Sequence, residues 1–277
     1  MYAGVGARYA SAVPAGACRN CGETLSGRYC ATCGQAVEDG EATSIAHLVQ
    51  EVVHEVSNVD GKVVRTVVAL FTRPGRLTAE YWAGHRVSWI RPLKIFLLAA
   101  ALHFVTVPGI GPMNLEILLQ RTPTGSLDIS VGTAARRRAG QGGLVAVTDA
   151  EQAAYVERMR DAYGAARYVA PLVFAVGAWL IYRRRQPFLA NHVVMAAHFY
   201  AFWYLVAVGA GQIPDPTMGG LVAVGLSAAH LVLMLGRLFG EGRWPTLWKA
   251  AALYLTMFLV EMGLAFGAAL WVARAVR

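Results

Sequence analysis

At 277 residues, 56 % of them hydrophobic and only 15 % charged, the chain is too apolar for a soluble domain of its length and reads as a membrane protein. Its formal charge of +8 does not point to nucleic acid, because the basic residues stand beside apolar segments instead of forming one dense patch; orientation in a bilayer accounts for them. The opening MYAGVGARYASAVPAGAC lacks the apolar core of roughly 7–15 residues that a secretory or lipoprotein signal needs, so residues 1–17 are expected to be a disordered cytoplasmic start.

All four cysteines fall in two Cys-x-x-Cys pairs, Cys18/Cys21 and Cys30/Cys33, with Gly22 and Gly34 directly after the second cysteine of each. Thiolates so spaced can converge on one tetrahedral Zn²⁺ at about 2.3 Å each, and the glycines permit the tight turn that aims backbone amides at sulfur. A disulfide framework needs an oxidising compartment, and a thioredoxin-like motif is a single pair beside a βαβ unit; neither description fits. No histidine joins the cluster and no open coordination position is implied. Residues 18–36 are therefore expected to form a ribbon around one structural zinc ion, which stiffens a segment too small for its own core.

After the acidic linker VEDGEATS, Ile45, Leu48, Val49, Val52, Val53 and Val56 recur with helical spacing, and Ser44 is placed to cap. The opposite face carries His47, Glu51, His54 and Glu55. Its single Glu-x-x-His step resembles half of a di-iron site, but such sites draw ligands from other helices and no second copy exists, so the face is read as solvated. In the stretch that follows, Lys62, Arg65, Arg73, Arg76, Arg86, Arg91 and Lys94 face only one acid, Glu80, and Trp82 and Trp89 stand among them. Residues 44–89 thus read as an amphipathic, juxtamembrane helical segment lying on anionic lipid headgroups, broken at Pro74-Gly75.

The ribbon ending in Cys33-Gly34-Gln35, together with Arg73-Pro74-Gly75, Glu80-Tyr81, Gly84-His85-Arg86 and Pro92, resembles a family of bacterial integral membrane proteins known as domain of unknown function 3667. His192 and His198, in NHVVMAAHFYAF, match a histidine-containing span of that family. The resemblance implies a short N-terminal zinc ribbon, a basic juxtamembrane segment and a multi-span membrane domain. It implies no activity.

Five hydrophobic segments, 90–110, 166–182, 192–210, 219–236 and 248–273, are expected to span the bilayer, although the first two fall short of the roughly 20 apolar residues a span requires. The fold class expected is mostly α, a polytopic helical membrane protein preceded by the ribbon and the amphipathic helix. Arg183-Arg184-Arg185 and the Arg237, Arg243, Lys249 stretch would lie inside, and the turn GQIPDPTMGG, without Lys or Arg, outside. This places the ribbon in the cytoplasm of a bacterium, beneath its inner membrane. Residues 111–165 form an external loop with an irregular first half and a helix at 148–165, capped by Thr148 and Glu151.

His103, His198, His230 and Glu261 fall inside predicted spans, where ionisable groups are costly and become functional candidates. Counted along the helices from the cytoplasmic ends, His198 and His230 fall at one shallower level and His103 and Glu261 at one deeper level. Three readings stand: neutral histidines that specify packing, a proton or ion path, and ligation of haem or another metal by His198 and His230. The Gly225-x-Ser227 step lacks an oxyanion hole and would share a helix with its base, which argues against an intramembrane hydrolase. Gly263 and Gly267 form a GxxxG step, and Gly225 and Ala229 a small-xxx-small step, either of which can pack helices or join two copies. No catalytic residue is assigned. The leading expectation is a non-enzymatic scaffold, regulator or assembly factor whose ribbon binds a protein partner. A small proton-coupled carrier is the first alternative and a redox protein the second.

Overall fold

The computed structural model describes residues 16–36, 61–106, 117–121, 127–131, 145–146, 149–166 and 168–275. The helix expected from Ser44 to Val56, with His47, Glu51, His54 and Glu55, lies outside them, as does Thr148. The described residues fold mostly into helices: α1 (Gly61–Thr72), α2 (Arg76–Ala83), α3 (Pro92–Thr106), α4 (Asp149–Ala166), α5 (Ala170–Tyr182), α6 (Leu189–Ala210), α7 (Pro216–Phe239) and α8 (Arg243–Ala275).

The break between α1 and α2 falls at Arg73-Pro74-Gly75. Proline cannot continue the hydrogen-bond ladder, and Gly75 takes a left-handed φ of 77°. A Cβ there would stand 3.1 Å from the Met234 carbonyl oxygen and 3.2 Å from its Cα, so only glycine lets this turn rest directly on the backbone of α7. Helix α2 ends two turns later at Gly84, also left-handed, whose N–H returns to the Glu80 and Tyr81 carbonyls.

Helix α6 is the centre of the bundle. Of its apolar stretch 78 % is buried, against 39 % for α7 and 28 % for α8, because α3, α5 and α7 surround it. Alanines on α6 admit close neighbours, and aromatic pairs fill the remaining space: Phe174 stacks on Phe199 at 5.1 Å, and Tyr182 on Phe239 at 3.6 Å. Helices α7 and α8 instead leave Leu221, Leu226, Leu233, Leu255, Leu259 and Phe266 more than half exposed. A soluble protein would not present two such faces; hydrocarbon would cover them.

Helices α6, α7 and α8 are each long and apolar enough to cross a membrane, whereas α3 and α5 are shorter apolar helices. On α8, the exposed Trp248 and Trp271 stand about 35 Å apart along the helix, the separation of two bilayer interfaces. The segment between α3 and α4 differs from the irregular loop expected. Strands β1 (Ile117–Arg121), β2 (Leu127–Val131) and β3 (Val145–Ala146) pair antiparallel in the order β2-β1-β3, with Leu119 opposite Ile129. Helix α4 follows and packs Tyr155, Met159 and Tyr163 against Ala265, Ala268, Ala269 and Val272 on the C-terminal half of α8.

Candidate functional site

The ribbon is built from two copies of one turn. In the first, Gly22 N–H donates to the Cys18 carbonyl and Cys18 N–H to the Glu23 carbonyl; in the second, Gly34 does the same to Cys30 and Cys30 to Gln35. Single antiparallel bridges, Ala17 to Thr24 and Tyr29 to Ala36, repeat the symmetry. The two turns face each other. Cys18 Sγ lies 3.6 Å from Cys33 Sγ, Cys21 Sγ lies 3.6 Å from Cys30 Sγ, and all four sulfurs fall within 4.8 Å of one another.

Four thiolates held about 2.3 Å from one ion in a tetrahedron stand about 3.8 Å apart, so this set can hold a metal ion. No disulfide links the four cysteines. The Cys33 backbone N–H directed at its sulfur draws the Cys30 thiol down to about 7, while burial and the neighbouring thiols push Cys21, its hydrogen-bond partner, up to about 12.

The ribbon is seated on the turn that ends α2. Gln35, the residue after the second knuckle glycine, donates from Nε2 to the Gly84 carbonyl at 2.9 Å and accepts the Arg86 N–H at Oε1 at 3.4 Å. A Cβ on Gly84 would stand 2.9 Å from the Arg19 Cβ, so the absence of a side chain permits the seat. Next to it, His85 Nδ1 lies 2.7 Å from Glu80 Oε2, and Arg76 Nε lies 3.4 Å from Glu80 Oε1. The Arg86 guanidinium lies over the Tyr81 ring at 4.4 Å. Burial, with Arg19 and Arg91 nearby, pushes its pKa down to about 10.

The opposite face of α2 is bound to α6. Thr78 Oγ1 and His198 Nδ1 share a buried 2.9 Å hydrogen bond, and Trp82 Nε1 donates to the Asn191 carbonyl at 3.1 Å. His230, on α7, stacks on Phe202 at 3.8 Å within electrostatic reach of His198. At the other level, Tyr163 of α4 donates its hydroxyl to Glu261 Oε2. The His103 ring lies 5.1 Å from Tyr204, Tyr204 lies 6.0 Å from Tyr200, and Tyr200 lies within electrostatic reach of Glu261. All four polar candidates, His103, His198, His230 and Glu261, are at most 4 % exposed. Of the basic candidates, Arg73 is exposed and Arg76, Arg86, Arg91 and Lys94 are half-buried.

Residues 60–104, covering α1, α2 and nearly all of α3, match one known family. It is the family described as Protein of unknown function (DUF3667). The resemblance read from Arg73-Pro74-Gly75, Glu80-Tyr81 and Gly84-His85-Arg86 is thus shown. The DUF3667 stretch holds the two surfaces just described, one receiving Gln35 of the ribbon and the other receiving His198 and Asn191 of α6. No curated protein and no solved structure matches the chain.

Thr78, Tyr163, Tyr200, Tyr204 and Glu241 were not among the residues singled out by sequence. Glu241 has a visible signal, as a lone acid amid Arg237, Arg243 and Lys249. It lies 3.2 Å from Arg185 Nε and 2.7 Å from Lys249 Nζ, tying the α5–α6 link to the α7–α8 link. The tyrosines have no such signal, because their roles come from helices far apart in sequence.

Proposed function

We propose that the protein is a multi-span membrane protein of non-enzymatic role, a scaffold, regulator or assembly factor. A structural zinc ribbon, fixed to the juxtamembrane turn, is its recognition module. The seat of Gln35 on Gly84 and Arg86 carries this reading: a ribbon tied to the membrane domain can pass the binding of a protein partner on to α2, and through Thr78 to His198. The bias of arginines and Lys249 toward one end of the bundle supports a ribbon on the cytoplasmic side of a bacterial inner membrane with five spans. No other described residue comes within 4 Å of a Cβ added at Gly263 or Gly267, which supports that face as one open to a second copy.

Metal content per chain tests the first element. Elemental analysis of detergent-purified protein should return one zinc; no metal at all would overturn the ribbon reading, and iron or copper in addition would bring His198 and His230 forward as redox ligands. Truncating residues 1–40 should then abolish partner capture and leave the bundle folded.

A proton-coupled carrier is the second reading, and the buried Tyr163–Glu261 pair favours it, since α4 lies outside the expected spans and reaches an acid within one. Glu261→Gln in proteoliposomes should abolish proton-driven flux on this reading. Partner capture by the ribbon should be unaffected.

A further inference from the structure

Beyond the ribbon lies a cavity of about 310 Å³, lined by Arg73, Arg76, Ala79, Glu80 and Arg237. Three separate elements supply its arginines: the α1–α2 turn, the first residue of α2 and the last turn of α7. Their convergence is built into the backbone. Gly75 rests on Met234, and Arg237 follows Met234 by three residues, which places it on the same face of α7 next to the turn that carries Arg73. Neither Arg73 nor Arg237 has an acidic partner among the described residues, and both are exposed.

We propose that this cavity binds a phosphate group, carried either on a lipid headgroup or on a free solute. Three guanidinium groups oppose one carboxylate. Glu80 is already engaged through both oxygens, by Arg76 Nε and by His85 Nδ1. Planar guanidinium forks match phosphate oxygens two at a time, which a scattered basic surface cannot do. A volume of 310 Å³ sits at the lower end of ordinary ligand sites, roughly 300–1,000 Å³, and suits a headgroup better than a bulky ligand. The cavity stands at the basic end of α7, and the Arg76 guanidinium lies 5.7 Å above the Trp89 ring. Basic and tryptophan residues together mark the headgroup level of a bilayer. The site depends neither on the metal nor on the partner proposed for the ribbon.

Binding of phosphatidic acid, oleate and inorganic phosphate to the full chain in detergent tests this site. Phosphatidic acid should bind saturably at one per chain, and R73Q and R237Q should each weaken it about tenfold, the effect of losing one charge-assisted contact. R184Q removes the same charge from an exposed arginine at the same end of the bundle, outside the cavity, and should change affinity less than about twofold. Competition by millimolar inorganic phosphate would assign the site to a free phosphorylated solute, and its failure to compete would assign it to a lipid; both outcomes support a phosphate site. Equal weakening by R184Q, equal binding of oleate, or no saturable binding of either phosphate probe would overturn it. If the glutamine variants do not fold, R73K and R237K carry the test. They keep the charge and lose the fork, so affinity should still fall severalfold, and wild-type affinity in both would overturn the proposal.

Discussion

In the ribbon and the turns around α2, contacts are few, polar and made at backbone turns: Gln35 on Gly84 and Arg86, His85 and Arg76 on Glu80, Gly75 on Met234. In the bundle the reverse holds. Helix α6 is covered by alanine and aromatic side chains from α3, α5 and α7, and its polar groups are single buried bonds inside that packing, such as Thr78 to His198. The contrast shows where the molecule can change state. A small module seated by a handful of hydrogen bonds, with four cysteines that can hold a metal ion, can leave its seat for a free energy that would hardly disturb a core of interlocked rings.

Cys30→Ala should separate the two regions most sharply. A segment this small has no core to fall back on, and a structural zinc ion contributes an apparent 10–16 kcal/mol, roughly, to small zinc modules, so on the proposed zinc reading the loss of one ligand is loss of the fold. Hydrogen exchange should show residues 16–36 unprotected while α6 keeps its protection. Equal loss in α6 would mean that ribbon and bundle fold as one unit.

Gly84→Ala comes next. It places a Cβ in left-handed backbone and 2.9 Å from the Arg19 Cβ, for a cost of about 2–4 kcal/mol. The seat should be lost and the four-cysteine cluster kept, so that limited proteolysis cuts between ribbon and α1 faster than in wild type at unchanged metal content. On the bundle side, Tyr163→Phe removes the hydroxyl that Glu261 accepts from and should lower stability by about 1–2 kcal/mol. A drop in thermal midpoint in nanodiscs, with no change in ribbon protection, is the expected result. A change in ribbon protection would show that the regions are coupled through the membrane domain.

The ribbon and the turns around α2 were legible because their signals are local. Two Cys-x-x-Cys pairs, a Pro-Gly break and a run of bases with tryptophans each declare themselves within a few residues, and the structure places the four sulfurs together and breaks the helix where Pro74 stands. The long apolar helices were legible from hydropathy for the same reason. Partnerships were not: Gln35 meets a residue 49 positions on, Tyr163 one 98 positions on, and Thr78 one 120 positions on, and nothing in composition or period joins such pairs. Strands β1 and β2, at five residues each, are too short for alternation to outweigh the glycine-rich sequence around them. Depth counting grouped His198 with His230 and His103 with Glu261, but could not reveal that a threonine holds the first histidine or that tyrosines fill the space between the second pair.

Arg76→Gln should have the smallest effect on stability and is the most discriminating for that reason. Its ion pair with Glu80 is an i,i+4 contact at 3.4 Å between side chains 35 % and 26 % exposed, and pairs of that kind are worth about 0.5 kcal/mol or less once solvent screens them. The thermal midpoint should therefore barely move. Glu80, relieved of its pairing with Arg76, would present more uncompensated negative charge to the cavity that Arg73 and Arg237 share, so phosphate binding should weaken more than the loss of a single arginine contact implies. A variant that is fully stable but deaf to phosphatidic acid would separate the two regions by function as well as by physics. A variant that loses midpoint and affinity in parallel would instead make Arg76 a structural element of the turn, and the contrast with the bundle would narrow to the ribbon alone.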